Sequence, residues 1–153
     1  MKQYNGVVIG IVKEIDPTLG RIKVDFPLLK PPQRSNWAPV ASLLGGKKRG
    51  VFFMPEIDDE VLLAFDQGDF DHPYVLGFLW NGADPSPESN GKNRVIVTPG
   101  GHTLRFEDSD GEKRTILRSS GGQEIILDDK DQSIQLRGGG RALLMKDDKV
   151  QIT

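Results

Sequence analysis

From about Val95 onward the chain repeats one short phrase: a glycine pair, a triplet with apolar residues at its two ends, an aspartate-rich turn, and a second such triplet. The glycine pairs are Gly100-Gly101, Gly121-Gly122 and Gly139-Gly140. The triplets read Leu104-Arg105-Phe106, Thr115-Ile116-Leu117, Ile125-Ile126-Leu127, Ile134-Gln135-Leu136, Leu143-Leu144-Met145 and Val150-Gln151-Ile152. Side chains alternate faces along a strand, so each triplet sends its first and third residues to one side. With Val95/Val97 added, these residues make one apolar face, opposite Arg105, Arg118, Asp128, Arg137 and Lys146. Two apolar residues per strand give a single chain too little core, and repeats of this kind close only when neighbours cover them. The pattern predicts an all-β, oligomeric structure over 95–153, a needle or prism of several copies wound together. Inter-chain ladders are expected to use up the strand edges.

The first 80 residues read differently. Val7-Val8-Ile9-Gly10-Ile11-Val12 and Arg21-Ile22-Lys23-Val24-Asp25-Phe26 flank the turn Asp16-Pro17-Thr18-Leu19-Gly20, a hairpin with Ile22, Val24 and Phe26 on one face. The three prolines between Pro27 and Arg34 keep that stretch out of a central strand. Residues 60–65 and 73–78 form a second hairpin around an acidic turn. Several short strands in so small a space, with no helical periodicity, predict a closed barrel of OB type over 1–80. Residues 81–94 hold two prolines, two glycines, two serines and three asparagines, a linker composition.

Charge excludes some functions. The net charge is −2, and residues 1–80 and 95–153 each carry 9 basic and 10 acidic side chains. Neither half has the cationic excess of a protein that tracks phosphates. The chain has no cysteine, so disulfides and thiolate metal sites are excluded. Met1-Lys2-Gln3-Tyr4-Asn5-Gly6 lacks the apolar run of a secretory signal, so cytoplasmic synthesis is expected, with any export by a non-standard route.

The stretch from Phe53 to Phe65, followed by Gly68-Asp69 and His72-Pro73-Tyr74-Val75-Leu76-Gly77, resembles the OB domain of contractile-tail spike proteins. That family includes phage baseplate assembly protein V, the phage tail lysozyme spike and VgrG of type VI secretion. Gly10-Ile11-Val12, Leu19-Gly20-Arg21-Ile22-Lys23-Val24 and Ser35-Asn36-Trp37-Ala38-Pro39-Val40 support the resemblance. It implies that the OB barrel is followed by an intertwined trimeric β-helix (β-prism) over 95–153, and that the whole is a homotrimeric, non-catalytic central spike of a phage tail or related injection system that pierces the target envelope. The implied partners are a separate baseplate hub behind the barrel, the target membrane in passing, and a PAAR-repeat cap on the tip Val150-Gln151-Ile152-Thr153. The final particle is then a phage tail or a secreted injection assembly. The chain departs from the family in lacking a lysozyme domain between barrel and repeat, and in lacking an apical His-x-His pair.

Other chemistries find little support. Asp66, Asp69 and Asp71, and the run Asp108-Ser109-Asp110-Gly111, lack the spacing and bidentate glutamate of a calcium loop and read as turns. Gly45-Gly46-Lys47-Lys48 fails as a phosphate loop, because Ala41 replaces the leading glycine and Lys48 the hydroxyl residue. The two histidines, His72 and His102, sit outside any catalytic motif, so no catalytic residue, metal ligand or cofactor is expected. Three copies of His102 around a threefold axis would be the one route to an ion. The alternative function is single-strand nucleic-acid binding by the OB barrel. Against it, Trp37, Phe52, Phe53, Phe65, Tyr74, Phe78 and Trp80 fall mostly at alternating strand positions and read as core.

Overall fold

The computed structural model describes Tyr4 and residues 6–153. Residues 1–3 and 5, part of the segment read above as lacking an apolar leader, lie outside the described residues. The chain divides into two compact units, Met1–Pro85 and Ser86–Thr153. Among the described residues, no helix is long and apolar enough to cross a membrane.

The first unit is built on β1 (Val7–Asp16), β2 (Arg21–Phe26), β3 (Gln33–Arg34), β4 (Ala38–Pro39), β7 (Glu60–Phe65) and β8 (Pro73–Phe78). A two-residue hairpin, β5 (Gly45–Gly46) and β6 (Arg49–Gly50), pairs only with itself. The main sheet runs β3-β2-β1-β7-β8, with β4 also on β2. A parallel bridge between Val40 and Val75, with Ala41 N donating to Val75 O at 2.9 Å, returns the sheet to β8 and closes the barrel. The alternation expected for β2 holds, with Ile22, Val24 and Phe26 buried while the residues between them are half-buried. β7 repeats it with Val61, Leu63 and Phe65. Ser35, within the motif that carries the family resemblance, is buried. Its Oγ accepts from Val24 N at 2.9 Å, and its own N donates to Val24 O at 2.8 Å.

The aromatic expectation is corrected. Of the seven residues read as core, only Phe65 is buried, and Phe52, Phe53, Tyr74, Phe78 and Trp80 are exposed. On β8 the inward positions are taken by Pro73 and Val75, which turns Tyr74 and Phe78 outward. The aromatic part of the core is instead a cluster of Phe26, Phe65, Phe70 and Tyr4, with ring centroids 5.1–6.0 Å apart.

The second unit is one antiparallel meander in strict chain order: β9 (Arg94–Val97), β10 (Thr103–Ser109), β11 (Glu112–Arg118), β12 (Glu124–Asp128), β13 (Ser133–Gly138), β14 (Arg141–Lys146) and β15 (Lys149–Ile152). The glycine pairs serve as turns. Gly139 and Gly140 have φ of 58° and 75°, the two left-handed positions of a two-residue hairpin loop between the paired Gly138 and Arg141. Asp147 and Asp148 fill the equivalent positions before β15 at φ of 50° and 58°. Residues 86–93, which read as linker, are ordered against this sheet. Glu88 accepts from Ser89 N, Asn90 N and Asn93 Nδ2 and pairs with Arg105 at 2.6 Å.

Gly10 shows how tightly the barrel is filled. A Cβ there would lie 2.6 Å from Val24 Cγ2 and 2.8 Å from Leu63 Cδ1, both on fully buried residues. Gly10→Ala is therefore expected to lower stability by about 1–3 kcal/mol, the usual range for overpacking. Denaturant unfolding of the purified variant measures this, and a loss below about 0.5 kcal/mol would show that the barrel yields more easily than its packing implies.

Candidate functional site

The barrel and the meander differ in what they bury. Among the described residues, nine of the ten buried hydrophobic ones, from Val12 to Val75, belong to the barrel, and Ile126 alone belongs to the meander. The meander is a single layer, and a single layer has no interior.

Its pairing register sorts every strand residue to a face. Directly paired residues in an antiparallel ladder share a face. One column therefore runs Ile96, Leu104, Leu117, Ile125, Leu136, Leu143 and Ile152 across all seven strands. The column beside it runs Arg94, Phe106, Thr115, Leu127, Ile134, Met145 and Val150. Strands sit about 4.8 Å apart and alternate residues nearly 7 Å apart, so the two columns, apolar but for Arg94 at one end and Thr115, form a strip roughly 29 Å by 7 Å. Its members are uncovered: Leu117 is 50% exposed, Leu127 45%, Leu136 43% and Ile152 78%.

Twelve of the fourteen residues predicted to share a face do so. Val95 and Val97 do not: they pair with Arg105 and Thr103 and so lie on the opposite face, while Ile96, opposite Leu104, takes their place on the strip. In the sequence the run Val95-Ile96-Val97 is apolar throughout, so alternation alone has no purchase on it. The ladders also differ from expectation. Each of β10 to β14 is bonded on both sides by strands of its own chain, so only the outer edges of β9 and β15 remain for another chain. Of the predicted tip, Val150 and Ile152 belong to the strip and Gln151 to the other face, opposite Leu144.

The opposite face is mixed: Val95, Ile116, Ile126 and Leu144 share it with Arg105 and Gln135, and ion pairs flank them. Arg118 pairs with Glu124, which also lies 3.9 Å from Arg137. Arg105 and Arg114 both reach Glu107, at 2.9 and 2.8 Å. Exposed pairs of this kind contribute little stability individually. They give a solvated surface on which no single sign dominates.

The sites discounted from sequence take ordinary structural places. Among the described residues, no cluster of His, Asp or Glu is arranged to hold a metal. His102 sits at an exposed turn where its Nδ1 accepts from Ser120 N at 3.3 Å. Asp69 and His72 form a local pair: His72 Nδ1 is 2.8 Å from Asp69 Oδ2, and Asp69 Oδ1 accepts from Asp71 N at 3.0 Å. On the barrel surface Arg21 and Lys23 lie 4.8 and 4.6 Å from the centre of the Trp37 ring. Each is matched by a carboxylate, Asp16 at 2.9 Å and Glu14 at 3.0 Å, so this face offers no free cations to a phosphate backbone.

Known proteins resemble the chain in the same places. The family described as the type VI secretion system/phage-baseplate injector OB domain matches residues 6–80. The type VI secretion system spike protein VgrG5 of Pseudomonas aeruginosa is 34% identical over 113 residues, covering 65% of this chain and 14% of the relative. The spike protein VgrG3 of Vibrio cholerae is 25% identical over 121 residues, 71% of this chain and 12% of the relative. An actin cross-linking toxin, VgrG1 of Vibrio cholerae, is 25% identical over 130 residues, 77% of this chain and 12% of the relative. The chain thus spans only about one-seventh or less of the length of these proteins.

The Asp69–His72 pair carries a pH prediction. The hydrogen bond and charge of Asp69 raise the imidazole above its ordinary value, and the Asp71 amide together with His72 lowers the Asp69 carboxyl. A histidine raised on folding stabilises the native state below its unfolded pKa, and that contribution is lost as pH rises through the folded value. An NMR titration should place the His72 midpoint above that of a free histidine, and Asp69→Asn should return it towards the ordinary value. A midpoint unmoved by that substitution would remove the pair.

Proposed function

Through residues 6–80 the chain belongs to the type VI secretion system/phage-baseplate injector OB-domain family, and on that premise we propose that it is a homotrimeric, non-catalytic spike component of a contractile injection machine. The observation that carries the reading is the uncovered apolar strip of the meander. Contiguous exposed apolar surface of this kind marks a binding face, and every member here comes from the same short repeat. Three chains placing their strips around one axis would make a three-sided prism, each chain contributing a whole side.

The energetics favour such closure. Fully burying an aliphatic side chain contributes on the order of 1.5–3 kcal/mol. Strip residues are already about half covered, so each gains on the order of 1 kcal/mol, about a dozen times per chain. The opposing cost of association is an estimated 4–15 kcal/mol. The strands are already ordered within each chain, which lowers the entropy still to be lost.

In this reading a narrow, stiff prism concentrates the force of a contracting sheath on a small area of the target envelope, and no bond is broken chemically. The barrel is the adaptor to a hub protein in the baseplate. The outer edge of β15, near Val150 to Thr153, is a place for a PAAR-repeat cap. Assembly into a phage tail or a secreted particle follows. The nucleic-acid alternative is weakened by the paired cations around Trp37 and by the balanced charge.

Mass photometry of the purified chain should find a particle of three times 16.9 kDa. A strict monomer at micromolar concentration would overturn the proposal. Leu127→Asp with Leu136→Asp should raise the dissociation concentration at least about a hundredfold, because unpaired charges would be buried. Gln135→Asp, on the face away from the strip, should leave the trimer intact. Ile96→Asp should weaken assembly more than Val95→Asp, and the reverse order would contradict the register of β9. Clearing of a peptidoglycan zymogram by the wild-type protein would overturn the non-catalytic reading.

A further inference from the structure

The barrel has an apolar surface that neither its own core nor the strip explains. Residues 41–50 are exposed without exception, and they carry the self-paired β5–β6 hairpin. Leu43 is 94% exposed and Phe52 68%, and Phe53 and Leu44 are also exposed. These side chains, Leu19 of the β1–β2 turn and Phe78 line an open cleft of about 770 Å³. The hairpin is held rather than loose, since Val51 N donates to Leu44 O at 2.9 Å and Ser42 Oγ to Val51 O. Its tip carries Lys47, Lys48 and Arg49, none of which has an ion-pair partner among the described residues.

The same end of the barrel carries the opposite charge elsewhere. The turn before β7 holds Glu56, Asp58 and Asp59, and it is placed by Val12, whose O accepts from Asp58 N and whose N donates to Asp59 O. Lys13 neutralises only Asp58. The chain also leaves the barrel here, because Leu79 N donates to Glu60 O at 2.9 Å, and Phe78 one residue earlier lines the cleft.

We propose that this end of the barrel is a second, head-to-tail interface between copies of the chain. In it the Lys47–Arg49 hairpin and its apolar base seat against the Glu56–Asp59 turn of the neighbouring barrel. The inference rests on the trimer proposed above. In the threefold assembly proposed above, each barrel can offer its basic patch to one neighbour and its acidic patch to the other, and the ring closes. Tethering supplies the concentration: barrels joined through a trimeric meander meet their neighbours at an effective millimolar level, so a modest patch suffices. Exposed leucine and phenylalanine beneath a charged rim is the composition of an interface centre, and the charges set the register between neighbours.

The test uses the full chain, prepared as a mixture of unlabelled and ¹⁵N-labelled protein and treated with a zero-length carbodiimide cross-linker. Mixed-isotope peptides joining Lys47 or Lys48 to Glu56, Asp58 or Asp59 are expected. Arg49→Glu, which leaves both lysine amines in place, should lower their yield severalfold, and the full charge reversal (Lys47→Glu, Lys48→Glu, Arg49→Glu, Glu56→Lys and Asp59→Lys) should give cross-links of reversed polarity. A trimer that gives no cross-link, or only cross-links within one chain, overturns this interface and leaves the strip-mediated trimer standing. A monomer overturns both. If the trimer instead binds a fluorescent oligothymidine and the charge reversal abolishes that binding, the patch serves nucleic acid and the barrel–barrel contact is overturned.

Discussion

A β-sheet must bury one face, and the C-terminal unit of this chain, a single seven-stranded sheet, has no second layer of its own to do so. The meander satisfies its backbone hydrogen bonds internally, because each inner strand is laddered on both sides. Backbone pairing makes the sheet but does not cover it. The apolar strip from Ile96 to Ile152 stays about half exposed, whereas the barrel residues Val12, Ile22 and Leu63 are completely withdrawn from water. The two units thus follow opposite rules. The barrel closes on itself and needs no partner for its core, whereas the meander is complete in its hydrogen bonds and incomplete in its packing. The proposed assembly would meet that second condition.

The structure also changes the kind of assembly to be expected. A braid in which strands of different chains alternate would order them only on association, leaving each chain with little structure beforehand. A meander paired in chain order pays most of its ordering cost locally, through two-residue turns such as Gly139-Gly140 and Asp147-Asp148. Contacts between sequence neighbours form quickly, whereas non-local pairing is slow and exposed to aggregation. Preformed sides meeting at an axis therefore make a more economical route to a prism than interwoven strands.

The legibility of the sequence follows the same physics. Strict alternation identifies the inward residues of β2, where Arg21, Lys23 and Asp25 separate them, and twelve members of the strip, which are the first and third residues of each triplet. It fails at Val95-Ile96-Val97, where both faces are apolar and only the pairing with Leu104 decides. It fails again for Tyr74, Phe78 and Trp80, whose alternating positions read as core although all three are exposed. In β8 the smaller Pro73 and Val75 fill the narrow interior and the rings stand outside. The 86–93 segment misled through composition: serine, asparagine and glycine are common in linkers, yet here the single carboxylate of Glu88 gathers three donors from it and a guanidinium from β10.

What could not be read from the sequence is the location of the exposed aromatic and basic residues relative to one another. Lys47, Lys48 and Arg49 fail every local motif test, and Phe52 and Phe53 sit beside them without periodicity. Only the folded chain brings them to the cleft that also receives Leu19 and Phe78. A motif search asks whether a short segment can hold a ligand alone, and this surface is assembled from three segments and completed, in the proposed trimer, by a fourth from the next chain. Surfaces of that kind carry no linear signature. They are found by asking which apolar side chains remain wet once a core is full, and what charge of the opposite sign the same molecule offers to cover them.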